Sequence, residues 1–187
     1  VDRDLERFAA EALETLGELF VGKSGIFDHQ WSARGQTARI YRTEMVREPS
    51  RVTVAGDPYC WLKGWAYLLR TEKNADLIAE IEGGIKKEVS VGCSVARRVC
   101  SICGADQAKA YCEHHAGKTY DGQLCVMALD DPKDAYEVSF VAVPAQPEAG
   151  VIKSKRYGGP AEPASDPETQ RMAEAMQELE TRRYGGM

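Results

Sequence analysis

No stretch of this sequence is apolar for the length that a bilayer crossing needs. The opening VDRDLERFAAEALETLGELF is charged and helical in pattern, where a secretion signal would be apolar. A soluble, intracellular protein is expected. Basic residues are in deficit, with 24 Lys and Arg against 29 Asp and Glu for a net charge of -5. That balance argues against a protein whose main work is gripping nucleic acid, because such a grip neutralises phosphates with clustered cations. Internal repeats are lacking, as is the Gly-x-Ser-x-Gly elbow of an α/β-hydrolase. Histidine is scarce, with three in 187 residues. At this length and 43% hydrophobic content the chain suits one domain with tails.

Within 2–20, Leu5, Phe8, Ala12, Leu16 and Leu19 recur at spacings of three and four, which predicts an amphipathic helix filling an N-terminal element at 1–21. After Gly22 the period changes. TARIYRTEMV and PYCWLKGWAYLL, rich in β-branched and aromatic residues, read as strands around the turn-prone REPSRVTVAGD. NADLIAEIEGG reads as a short helix with Asn74 as N-cap and a glycine stop. KKEVSVGCSVARR alternates so that Val89, Val91, Cys93 and Val95 would face the core and Ser90 the other side. QLCVMAL and AYEVSFVAV read as two further strands with DDPKD as the turn between them. The fold class expected is α+β, with the body at 22–152 and a Pro, Gly and charge-rich linker plus helical tail at 153–187.

Six cysteines in a secreted chain would suggest disulfides, but four of them lie between Cys100 and Cys125 together with two histidines. Cys100-x-x-Cys103 followed by Cys112-x-His114 has the spacing of a tetrahedral structural zinc site, a knuckle at 98–118. His115 and Cys125 are rivals of His114 for the fourth position. A filled shell leaves no place for water, so the zinc would be structural. Cys60 and Cys93, in apolar strands, read as core residues.

With His114 and His115 in the knuckle, a catalytic imidazole, if there is one, is His29. A serine nucleophile needs such a base, and the base needs a third group to orient it. The residues alone supply candidates for each role without joining them.

GIFDHQWS, KKEVSVGCS and AYEVSFVAVPAQPEAGV, in that order and at these separations, resemble the prohead (capsid maturation) serine proteases of tailed phages, a family related in fold to the herpesvirus assembly proteases. The resemblance runs from about Leu19 to Ile152, and the cysteine-rich insert looks like one carried by a branch of that family. It implies a mostly antiparallel β-barrel flanked by helices, with Ser90 as nucleophile, His29 as base and Glu137 as orienting acid. Asp28, Glu88 and Asp134 are rivals for the third role, and Ser94 and Ser139 are rival nucleophiles whose blander reading is solvation of a strand. The implied substrates are the major capsid protein and scaffold, and the protease itself, cut inside the prohead in the host cytoplasm, with self-association as a further expectation. The competing expectation is a non-enzymatic, zinc-stabilised capsid assembly or packaging component.

Overall fold

The structure is a computed structural model that describes residues 1–152. The linker and tail expected at 153–187 lie outside the described residues. In chain order the elements are β1 (Glu6–Phe8), α1 (Ala10–Phe20), β2 (Ser24–Phe27), β3 (Ala38–Val52), β4 (Pro58–Leu68), α2 (Ala75–Gly83), β5 (Val89–Cys100), β6 (Thr119–Tyr120), β7 (Gln123–Leu124) and β8 (Met127–Phe140). It is an α+β arrangement dominated by strands.

β8 organises the sheet. β5 runs antiparallel along one edge of it, while β1 and β2 lie parallel to it at Met127–Leu129 and Glu137–Phe140 respectively. β2 passes the sheet on to the β3–β4 hairpin through only two pairs, Ser24 with Arg39 and Gly25 with Ala38. Gly25 is required there, because a β-carbon on it would press into the side chain of Ala38. Among the described residues no ladder joins β4 to β5, so the sheet is open rather than the expected closed barrel. Closure needs both edge strands to stagger into register. Here the tip of the hairpin is held by side chains instead: Arg7 pairs with Asp57, and Arg51 and Tyr59 both bond Glu148.

Three local expectations change. The helix begins only at Ala10, because Glu6–Phe8 spend their backbone groups on β8, after a turn in which the Asp2 carboxylate accepts from the N–H groups of Asp4 and Glu6. β3 continues through Glu48–Val52, so the turn is confined to the residues between Val52 and Pro58. DDPKD is not a turn but the bulged middle of one long strand. The register against β5 slips there once, at Lys133 between the Pro132 and Asp134 pairs, and again just beyond at Tyr136; Asp131 takes φ 53°, and Pro132 borders the first slip, where a proline is tolerated.

α1 buries Ala12, Leu13, Leu16 and Phe20. Leu16 and Phe20 form the core with Ile40 and Ala135, and Leu62, Cys93 and Val138 pack around them. The Thr43 hydroxyl donates to the Gly17 carbonyl at 2.8 Å, tying the helix to β3. Cys93 of β5 packs on this core and Ser90 turns to the other face, as expected, but the two faces do not divide simply into buried and exposed. Val91 is 40% exposed, while Glu137 and Ser139, on the Ser90 side of the neighbouring strand, are buried. α1 covers one face of β8 here, and the turn after β2 covers the other. Cys60 is only half-buried and lies outside that core.

Candidate functional site

β2 ends in a turn whose first two residues, Asp28 and His29, both take left-handed backbone angles, φ 49° and 55°. Non-glycine residues hold such angles at a cost of roughly 1–2 kcal/mol each, so the turn must be fixed from outside. Ser139 and Glu137 of β8 fix it. The backbone N–H of His29 donates to the Ser139 hydroxyl at 3.0 Å, and the His29 ring Nδ1 lies 2.7 Å from Glu137 Oε1. Ser139 in turn donates its hydroxyl proton to Glu137 Oε2 at 2.6 Å. Both carboxylate oxygens are therefore engaged, and Glu137 is only 3% exposed.

A carboxylate can only accept, so in the neutral ring Nδ1 carries the proton and Nε2 is the basic nitrogen. The His29 side chain is 43% exposed. The arrangement is thus an oriented imidazole at the surface backed by a buried carboxylate. Gly92 lies opposite Glu137 on β5, and a β-carbon there would overlap the carboxylate. The bare backbone of Gly92 makes room for the acid.

Ser90 sits directly across from Ser139 and therefore shares a sheet face with it. No hydrogen bond joins Ser90 to His29 among the described residues. Of the rival acids, Asp134 pairs with Lys23, Glu88 with Lys87, and Asp28 is exposed. None of the three bonds His29, and Glu137 does. Ser139 is fully buried, so it neither solvates a strand nor meets a substrate. Its role in locking Glu137 and the turn was missed by the sequence reading, although the Glu-x-Ser spacing on one strand face held the signal. Ser94 lies opposite Asp134, beyond the first register slip from Gly92. Cys93, beside this site, has its thiol pKa pushed up by burial and by the Glu137 charge.

The second constellation lies at the far end of β5, in the connection to β8. The metal-binding atoms of Cys100, Cys103, Cys112 and His114 all lie within 4.8 Å of one another. Ligands about 2.3 Å from a tetrahedral zinc are separated by roughly 3.8 Å, so this cluster has the right size. Gly104, at φ 74°, closes the first turn, with its N–H bonded to the Cys100 carbonyl. The β6–β7 hairpin turns on Asp121 and Gly122, both left-handed, and brings Tyr120 edge-on to His114 with ring centroids 4.6 Å apart.

The donor chemistry fits a metal. His114 Nδ1 is buried without a protein partner. At Cys100 burial opposes the thiolate, but N–H donors from Cys103 and Ile102 outweigh it and lower the pKa. Gln107 and the His114 backbone lower that of Cys112. Cys125, fully buried with its sulfur 3.9 Å from that of Cys100, is pushed up to about 11, first by burial. Neither Cys125 nor the exposed His115 belongs to the cluster of four.

No helix among the described residues is long and apolar enough to cross a membrane. No protein family, curated protein or solved structure matches the chain.

Proposed function

We propose that the chain is a serine endopeptidase of the phage prohead protease type, with Ser90 as nucleophile, His29 as general base and Glu137 as the acid that orients the base. The observation that carries this reading is the 2.7 Å contact between His29 Nδ1 and the buried Glu137 carboxylate, on the sheet face that Ser90 shares through its pairing with Ser139. A buried acid behind a half-exposed imidazole fixes the tautomer and stabilises the imidazolium that forms during acyl transfer.

In this mechanism the Ser90 hydroxyl oxygen attacks a scissile peptide carbonyl and its proton passes to His29 Nε2. The imidazolium, held by Glu137, then protonates the leaving amine. Water deprotonated by the same nitrogen hydrolyses the acyl-enzyme and returns Ser90 to its starting state. The substrates of this reading are scaffold and major capsid protein inside the prohead, and the chain itself. This reading carries with it a relation in fold to the herpesvirus assembly proteases.

Cys100, Cys103, Cys112 and His114 would hold a zinc ion. With every position filled by protein, the ion supplies cross-linking of a loop too polar to bury a core of its own, not Lewis-acid chemistry.

One observation favours a second reading, a non-enzymatic capsid assembly component: Ser90 makes no hydrogen bond to His29 among the described residues. Intact mass over time separates the two, for wild type and Ser90→Ala, each incubated with the capsid or scaffold protein of the same virus. Trimming of the chain or its partner by wild type alone supports the protease. Identical masses for both, with partner and assembled shell present, support the structural component.

A further inference from the structure

The geometry points to a side-chain subsite for an uncharged, apolar residue of a peptide, in the cleft between Trp31 and Tyr136 beside the His29–Glu137 pair. The inference rests on the peptidase reading and gives its substrate class. The cleft holds about 300 Å3 and is lined by Trp31, Tyr136, Ser24, Ser32, Gln36 and Glu137.

The same two segments build both the cleft and the proposed catalytic pair. Trp31 follows His29 by two residues on one turn, and Tyr136 precedes Glu137 on β8. Glu137 is the link: it lines the cleft and bonds His29. Trp31 is 74% exposed, yet its ring packs against that of Tyr136 at 5.3 Å between centroids. A large aromatic surface held open to water in this way gains most from an apolar partner.

The lining also sets the charge of the occupant. Gln36 Oε1 accepts from Ser24 Oγ at 2.9 Å and from Arg39 at 3.0 Å, and Ser32 Oγ accepts from the Arg34 N–H, which leaves only neutral donors among these side chains. Glu137 is the one ionisable residue in the wall, and both of its oxygens are committed, to His29 and to Ser139. An anionic side chain would meet that negative charge with only neutral donors in the wall to offset it. A cationic one would compete with His29 for Glu137 and undo the pair. Neutral apolar side chains face neither cost.

The test reads binding and cleavage separately. In Ser90→Ala protein, the indole N–H signal of Trp31 is assigned with a Trp31→Phe variant. It is then followed by 1H–15N NMR as the N-acetyl amides of leucine, phenylalanine, lysine and glutamate are added. The leucine and phenylalanine amides are expected to move it at concentrations about tenfold below any effect of the lysine and glutamate amides. Wild-type protein acting on a randomised peptide library is expected to select apolar residues at one position next to the cut. Trp31→Ala is expected to lower kcat/KM for those peptides about tenfold while retaining cleavage. An unmoved Trp31 signal, equal response to charged amides, or cleavage without apolar selection overturns the subsite and leaves the peptidase standing. Apolar amides that move Trp31 in a protein that cuts nothing support the subsite and remove the peptidase.

Discussion

Glu137 occupies the space that a β-carbon on Gly92 would need: the two residues pair across β5 and β8, and the carboxylate lies over the bare backbone of the glycine. A side chain one carbon long at position 92 therefore moves the acid. Overfilling a packed site of this kind costs about 1–3 kcal/mol, and the displaced carboxylate would lose its 2.7 Å contact with His29. Gly92→Ala is expected to be less stable by that amount in urea denaturation and to lose at least tenfold in cleavage rate, although it removes no functional group. Unchanged stability and unchanged cleavage together would show that the carboxylate sits elsewhere.

Two serines that face each other across the ladder should respond in opposite ways. The Ser139 hydroxyl is buried between the His29 N–H and Glu137 Oε2, so Ser139→Ala strands a donor and an acceptor and is expected to cost about 1–3 kcal/mol of stability. Ser90 has no hydrogen-bonded side-chain partner among the described residues, so Ser90→Ala is expected to stay within about 0.5 kcal/mol of wild type while abolishing cleavage. Thermal melts of the two variants beside the mass assay check both halves. A strongly destabilised Ser90→Ala would mean that the serine is structural.

The cluster of Cys100, Cys103, Cys112 and His114 gives a prediction free of any activity. Metal analysis of protein purified without added metal is expected to find one zinc per chain. It should fall well below one in Cys112→Ser and stay at one in Cys125→Ser, since Cys125 lies outside the cluster of four. Chelation is expected to speed amide exchange in 101–126. The helix α1, packed in the separate core of Leu16 and Phe20, should change little. Loss of metal from Cys125→Ser would put a fifth residue in contention for the site.

The clustering of four Cys and His side chains was legible because ligand chemistry demands particular residues at short spacing, and Cys100-x-x-Cys103 with Cys112-x-His114 states that demand within fifteen residues. The pairing of His29 with Glu137, more than a hundred residues apart, came from family resemblance. Periodicity carries no information on which strand lies beside which. Periodicity also misled at Glu6–Phe8, where pairing with β8 overrides a good helical stripe. Turn composition misled at DDPKD, where turn-forming residues sit at a bulge inside a strand. The faces of β5 were read as core against solvent because alternation assumes one wet side. At Ser139 the turn carrying His29 covers the second side as well, which no local pattern records.

A final prediction concerns the tie between the hairpin tip and the segment that leads out of the described body. The Tyr59 hydroxyl donates to Glu148 Oε2 at 2.6 Å, with the Arg51 guanidinium 3.8 Å above the Tyr59 ring and also bonded to Glu148. Burial first, then the bond to Glu148, push the Tyr59 pKa from 10.0 up to about 12. The folded protein thus holds this proton more tightly than the unfolded chain does. The associated stability is fully present below pH 10, the unfolded value, and is lost as the pH rises through about 12. Absorbance titration of the phenolates is expected to show one tyrosine ionising late and to lose that late step in Tyr59→Phe. In Glu148→Gln the step should move toward 10, because the acceptor that favours the protonated phenol is weakened while burial remains. A late step that survives unchanged in Tyr59→Phe would assign it to another tyrosine and leave the hairpin tip untied.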